Sequence, residues 1–195
     1  MAQESKYKEF HALIEEFGQE VVDNAMRNLG AYRTINGKRR RAVASGTLKN
    51  SLAYAYSKRT NKLEFYAKGE AGNYADFVEQ GVNGRNQSQG SPYTFTKPAI
   101  PIQVVLDWMK VKRIPIRDAN GKIIKATEEE RLHVARLIAR SIASRGLTPL
   151  FYWRDAYNDQ VDIFQPKFVE AVRKDIEVYL NDVVKKNLEN TNQQQ

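Results

Sequence analysis

The chain has 195 residues, no cysteine, 42% hydrophobic residues and a formal net charge of +8. That length suits a single domain able to bury a core unaided, and the lack of cysteine excludes a disulfide scaffold, a thiolate zinc site and a thiol nucleophile. No apolar run nears the roughly 18 residues needed to span a bilayer, and the opening MAQESKYKEF lacks the apolar stretch of a secretory signal, so a chain made in the cytoplasm and independent of membranes is expected.

Residues 5–29 form the first predicted element, a long amphipathic helix. Phe10, Leu13, Ile14, Phe17, Val21, Ala25 and Leu29 recur at helical spacing, Gly18 interrupts the pattern, and Gly30 stands where a C′ glycine belongs. Residues 33–43 read as a polar loop around Asn36-Gly37 that carries Lys38, Arg39, Arg40 and Arg41. This cluster belongs to a larger run: residues 31–62 hold nine bases and no acid, whereas residues 1–30 hold six acids and three bases. Such asymmetry points to a polyanionic partner or an acidic protein surface, or else to a solvated loop.

In SGTLKNSL (45–52), Ser45 can cap a short helical turn with Leu48 and Leu52 on one side. Residues 53–59 and 62–68 read as strands joined by Thr60-Asn61, with Tyr54 and Tyr56 on one face. Residues 73–80 (NYADFVEQ) suit a short helix with Tyr74, Phe77 and Val78 inward. The stretch 81–100 is rich in Gly, Asn, Gln and Ser and holds Pro92 and Pro98. A compact domain seldom carries so long a connection without a use. It reads as a docking loop with Asn83, Arg85, Tyr93 and Phe95 as contacts, its first part mobile in a free subunit, or as a disordered insertion.

Residues 102–112 form a predicted helix with Ile102, Val105, Leu106 and Met109 along one side. Asn120-Gly121, between short apolar pieces of 114–125, signals a type I′ hairpin. Thr127 and Glu130 make a capping box that opens a helix running to Arg145. Its expected buried face is Leu132, Ala135, Leu137, Ile138 and Ile142, and Gly146 ends it. An apolar and aromatic stretch, 147–157, leads to a last helix over 166–188, with Pro166 at its first position and Phe168, Val169, Val172, Ile176, Tyr179, Leu180 and Val183 on one face. The polar tail 190–195 is expected to fray.

Chemistry is sparse. His11 and His133 have no partner at a metal-ligand spacing, and no phosphate loop or nucleophile elbow is present. The reading is a protein without catalytic residues, metal or cofactor, not an enzyme. Two alternatives stand: a nucleic-acid-binding accessory protein using 31–62, where Tyr54 and Tyr56 lie beside Lys58 and Arg59, and a hydrolase built on Asp76 and Glu79.

The order SGTLKNSL, tyrosine-rich hairpin, YADFVEQG (74–81), glycine-rich loop, VLDWMKVKRI (105–114) and VARLIARSIASRGLTPLFYWRDA (134–156) resembles the tailed-phage neck and tail-completion (head-to-tail joining) family. Members carry an SG-x-L-x-x-S turn before a hairpin and a YA-x-x-VE-x-G piece after it. A longer subgroup adds a W-x-x-x-K-x-I helix, a helix ending in G-x-x-P-x-x-F, and a terminal helix. The resemblance covers residues 45–156; the 114–125 excursion and the long final helix depart from it and leave copy number and layer open. It implies an α+β fold, a small antiparallel sheet packed by long N- and C-terminal helices. It implies a structural virion protein that forms a homo-oligomeric ring in the neck, with six copies favoured over twelve. The implied partners are portal or adaptor proteins, tail-terminator or tail-tube proteins, and, without sequence specificity, the packaged double-stranded DNA.

Overall fold

The computed structural model describes residues 7–35, 38–41 and 45–192. Among them the fold is α+β, with long N- and C-terminal helices and short antiparallel ribbons. In chain order come α1 (Lys8–Gly30), β1 (Tyr32–Ile35), β2 (Lys38–Arg41), α2 (Thr47–Ser51), β3 (Leu52–Ser57), β4 (Lys62–Ala67), α3 (Gly72–Gln80) and β5 (Val82–Asn83). Then follow α4 (Ile102–Lys112), α5 (Glu128–Arg145), β6 (Gly146–Leu147) and α6 (Tyr152–Asn192).

The main core is the seam between α1 and α6. Phe17, Val21, Val22, Ala25 and Leu29 of α1 are buried against Tyr152, Ala156 and Phe164 of α6. The helices run antiparallel: Asp175 meets the start of α1, Lys167 pairs with Glu16, and Asn28 Nδ2 donates to the Tyr152 carbonyl. The β3–β4 hairpin lies on α1, and the Tyr54 ring sits over Gly18, where a Cβ would come within 2.7 Å of it. The glycine that interrupts the α1 pattern is therefore the seat of a strand side chain. α2 follows Gly46, which is left-handed at φ +86, and the Ser45 hydroxyl accepts from the Thr47 N–H at 3.3 Å. Leu48 and Leu52 both reach the core, as their spacing implies.

A second cluster joins α4 to α5. Val105 and Met109 pack with Ile116, Ala135 and Ala139. The α4 bounds and its inward side match the predicted ones. So does the capping box of α5: the Glu130 N–H donates to Thr127 Oγ1 and the Thr127 N–H donates to Glu130 Oε2. On α5 the buried row is Ala135, Ala139 and Ala143, and Leu137 is exposed. Small side chains at four-residue spacing let the neighbours of α5 approach closely, so the inward line follows the alanines rather than the larger residues.

Several expectations fail for physical reasons. Residues 33–43 are not an open loop throughout, since β1 pairs with β2 in a register that sets Arg33 opposite Arg40. Asn36-Gly37 lies outside the described residues. Gly30 is the last residue of α1 and is not left-handed. The link between β3 and β4 is residues 58–61, with Asn61 in the left-handed region at φ 52. Tyr74 and Phe77 face outward on α3, where Ala75 takes the inward position. The 114–125 excursion forms one bridge, Arg117 with Ile123, around a turn in which Asp118 accepts from the Asn120, Gly121 and Lys122 N–H groups and Gly121 is left-handed. That is a three-residue loop with a left-handed glycine, not a two-residue one. Pro166 lies inside α6, not at its start. Its ring forfeits one backbone hydrogen bond, but the seam residues Ala156, Phe164, Phe168 and Ala171 continue on both sides of it and hold the helix through. α6 also continues into the expected tail as far as Asn192; residues 193–195 lie outside the described ones.

β5 and β6 pair antiparallel at a close backbone crossing. A Cβ on Gly84 would lie 2.2 Å from the Ser144 carbonyl oxygen, and one on Gly146 2.2 Å from the Val82 carbonyl oxygen. Neither neighbour is a movable side chain. Gly84→Ala should therefore cost about 1–3 kcal/mol in chemical denaturation through forced backbone shifts. Gly90→Ala, which meets nothing within 4 Å but is left-handed at φ +70, should cost only about 1 kcal/mol. Equal losses would show that the crossing is not tight.

Candidate functional site

Glu79, half of the expected acidic pair, has a structural occupation. Its carboxylate accepts from the Trp153 N–H at 2.9 Å and the Arg154 N–H at 3.0 Å, so it caps the first turn of α6. The same junction is held by backbone bonds, with the Leu150 N–H donating to the Val78 carbonyl and the Phe151 N–H to the Glu79 carbonyl. Asp76 is exposed. Tyr152, fully buried beside this junction, donates to the Ala75 carbonyl, and its phenol is pushed above its ordinary range by burial first and by the Glu79 and Asp76 charges next.

Asp175 repeats the device on the other helix. It is buried on α6, and its two oxygens accept from the Glu9 and Phe10 N–H groups at 3.0 and 2.9 Å. A carboxylate at a helix N-terminus complements both the free N–H groups and the macrodipole. Each long helix thus begins on an acid supplied from far along the chain.

The histidines lie apart. His11 is buried on α1, with Nδ1 2.5 Å from the Tyr56 oxygen. The Tyr56 oxygen also lies 3.3 Å from Asn61 Oδ1, and which partner donates in the His11 pair follows the imidazole tautomer. Burial also raises the Tyr56 phenol above its ordinary value. His133 is exposed on α5. Among the described residues no group of three or more His, Asp or Glu side chains could hold a metal ion.

The stretch 81–100 is hydrogen-bonded within itself and to the end of α5. Asn83 Oδ1 accepts from the Gln89 and Ser91 N–H groups, and its Nδ2 donates to the Ser91 carbonyl at 2.6 Å. The Arg85 and Asn86 N–H groups donate to the Ala143 and Ser144 carbonyls at the end of α5. Tyr93 stacks edge-on against Phe77 at 4.7 Å between centroids, and the Phe95 N–H donates to the Asn83 carbonyl. Of the four expected contact residues, Arg85 alone is exposed; Asn83, Tyr93 and Phe95 are half-buried in the loop's own framework. The expected basic cluster lies on β2, and the side chains of Lys38, Arg39, Arg40 and Arg41 lie outside the described residues.

Two surface features were not singled out by the sequence pattern. One is an apolar groove of about 480 Å³ between α1, β4 and α6, lined by residues including Ile14, Leu63, Phe65, Tyr157, Val161 and Phe168. The other is the far half of α6, whose apolar face is exposed at Val169, Val172, Ile176, Tyr179 and Leu180. Periodicity shows that a helix has an apolar face; it does not show whether the same chain covers it.

No family model, curated protein or solved structure matches the chain. Among the described residues no helix is long and apolar enough to cross a membrane.

Glu79→Ala removes both acceptors at the start of α6 and should lower stability by about 2 kcal/mol. Asp76→Ala should change it by less than about 0.5 kcal/mol, as exposed substitutions do. Urea denaturation followed by the fluorescence of Trp108 and Trp153 together reads both, and a neutral Glu79→Ala would remove the cap from the account.

Proposed function

We propose that the chain is a structural subunit of a tailed-phage neck, repeated in a ring around the DNA channel and joining head to tail within the virion. One observation carries the reading: the pieces that resemble that family interlock in space. The SGTLKNSL turn feeds β3 directly, and the Val78-Glu79 pair of YADFVEQG receives the backbone of GLTPLFYWR (146–154) through four hydrogen bonds. Trp153 and Glu79 are 74 positions apart, so these pieces are parts of one unit and not isolated turns. In this reading the neighbours are portal or adaptor proteins on one side and tail-terminator or tail-tube proteins on the other, with six copies favoured over twelve. The chain performs no catalysis and holds no cofactor.

The β1–β2 ribbon supplies the charged contact. Lys38, Arg39, Arg40 and Arg41 are consecutive on β2, and a ring repeats them as a belt of positive charge. DNA must slide through a neck, and phosphate contacts grip strongly at low salt. An acidic surface on an adjacent ring is therefore the better partner. A second reading, a nucleic-acid-binding accessory protein, draws on the same ribbon, because a two-stranded ribbon fits a major groove.

Replacing Lys38, Arg39, Arg40 and Arg41 together by Ser separates these readings. The expected outcome is assembled copies that no longer join heads to tails in complementation of a defective phage. Normal joining with altered DNA retention would move the belt to the channel. Normal joining and retention, with loss of salt-sensitive DNA affinity in the purified protein, would favour the accessory reading.

A further inference from the structure

The second half of α6 has an apolar ridge that the described residues leave in solvent. Val172, Ile176, Leu180, Val184 and Leu188 follow one another at four-residue steps, and their exposure rises along the helix through 36, 47, 54, 56 and 62%. Side chains at that spacing form one of the ridges by which helices pack. Asp175 marks the end of the seam, because it caps the first turn of α1. Residues 176–192 therefore run past the start of α1, about 25 Å at 1.5 Å per residue. A projecting helix with an unburied apolar face draws its stability from packing on something else.

The area suits a specific interface. With Tyr179 on its flank, the ridge leaves on the order of 600 Å² of surface in solvent, approaching the about 800 Å² per partner of a standard interface and at the top of the range of apolar patches on a typical monomer. One edge is bounded by an ion network in which Arg173 pairs with Glu170 at 2.7 Å and with Glu177, a polar rim of the usual kind.

The chain also carries an open seat for such a ridge, the groove lined by Ile14, Leu63, Phe65, Tyr157, Val161 and Phe168. Apolar helices dock in grooves of this sort through residues at three- and four-residue spacing. A copy cannot fill its own groove. Tyr157, Val161 and Phe168 belong to the same continuous helix as the ridge, and residues 176–188 lie farther along it.

We propose that residues 176–188 are an assembly arm that docks in the groove of a second copy of this chain. Ridge and groove are different surfaces, so the contact is head-to-tail, and repetition of it closes a ring or extends a filament. The inference takes from the proposed function only that the chain works in repeated copies.

Mixing two blocked variants tests it. Leu180→Asp spoils the ridge and leaves the groove; Val161→Arg fills the groove and leaves the ridge, with Val169→Arg at the rim as a second groove variant should the first lose helical content. Sedimentation of the wild type should show oligomers, and each variant alone should be monomeric. An equimolar mixture should form a one-to-one dimer and nothing larger, because one intact ridge and one intact groove remain. Oligomers unaffected by either substitution, or blocked variants that fail to pair on mixing, would overturn the arm and leave the repeated-copy reading standing. A wild-type chain monomeric across the accessible concentration range would refute both.

Discussion

Phe17 of α1 lies against Phe164, Phe168 and Tyr157 of α6, with ring centroids 5.3 to 5.7 Å apart and near edge-on. Rings in that geometry add to the burial of their area, and this cluster fixes the antiparallel seam on which the other elements rest. The β3–β4 hairpin lies on the α1 side of it through Tyr54 over Gly18. Each end of the seam is closed by a carboxylate from a distant part of the chain, Asp175 at the start of α1 and Glu79 at the start of α6. The helices therefore cannot slide along each other without uncapping one of them.

The seam also explains what is left outside it. α6 spans 41 residues and α1 23, so an antiparallel pair that begins in register at Tyr152 must leave the far part of α6 without α1 beside it. The excess length carries an apolar face rather than a polar one. The groove that flanks the seam is the complementary vacancy. The proposed head-to-tail assembly uses both.

What was legible in the sequence was local. The capping box at Thr127 and Glu130, the α4 bounds and the inward turn of Leu48 and Leu52 depend on residues within a few positions of one another. What failed depended on distant partners. Glu79 looks like a free acid because the N–H groups it caps are 74 positions away. Pro166 looks like a helix start because proline suits that position, yet burial on both sides of it against α1 outweighs one lost hydrogen bond. The polar composition of 81–91 does not show the framework inside it, in which Asn83 gathers the loop around its own side chain and the end of α5 supplies carbonyls to it. The apolar face of α6 is visible as a pattern in the sequence, but spacing carries no information about what covers it.

The central claim, a subunit repeated in a ring at the head-to-tail joint, is tested most directly by electron cryomicroscopy of phage particles that contain this chain. The account predicts a closed ring of copies at the neck, coaxial with the channel, each with the end of its long helix seated beside the α1–β4 groove of the next. Density for a single copy, or its absence from the joint in complete particles, would contradict it.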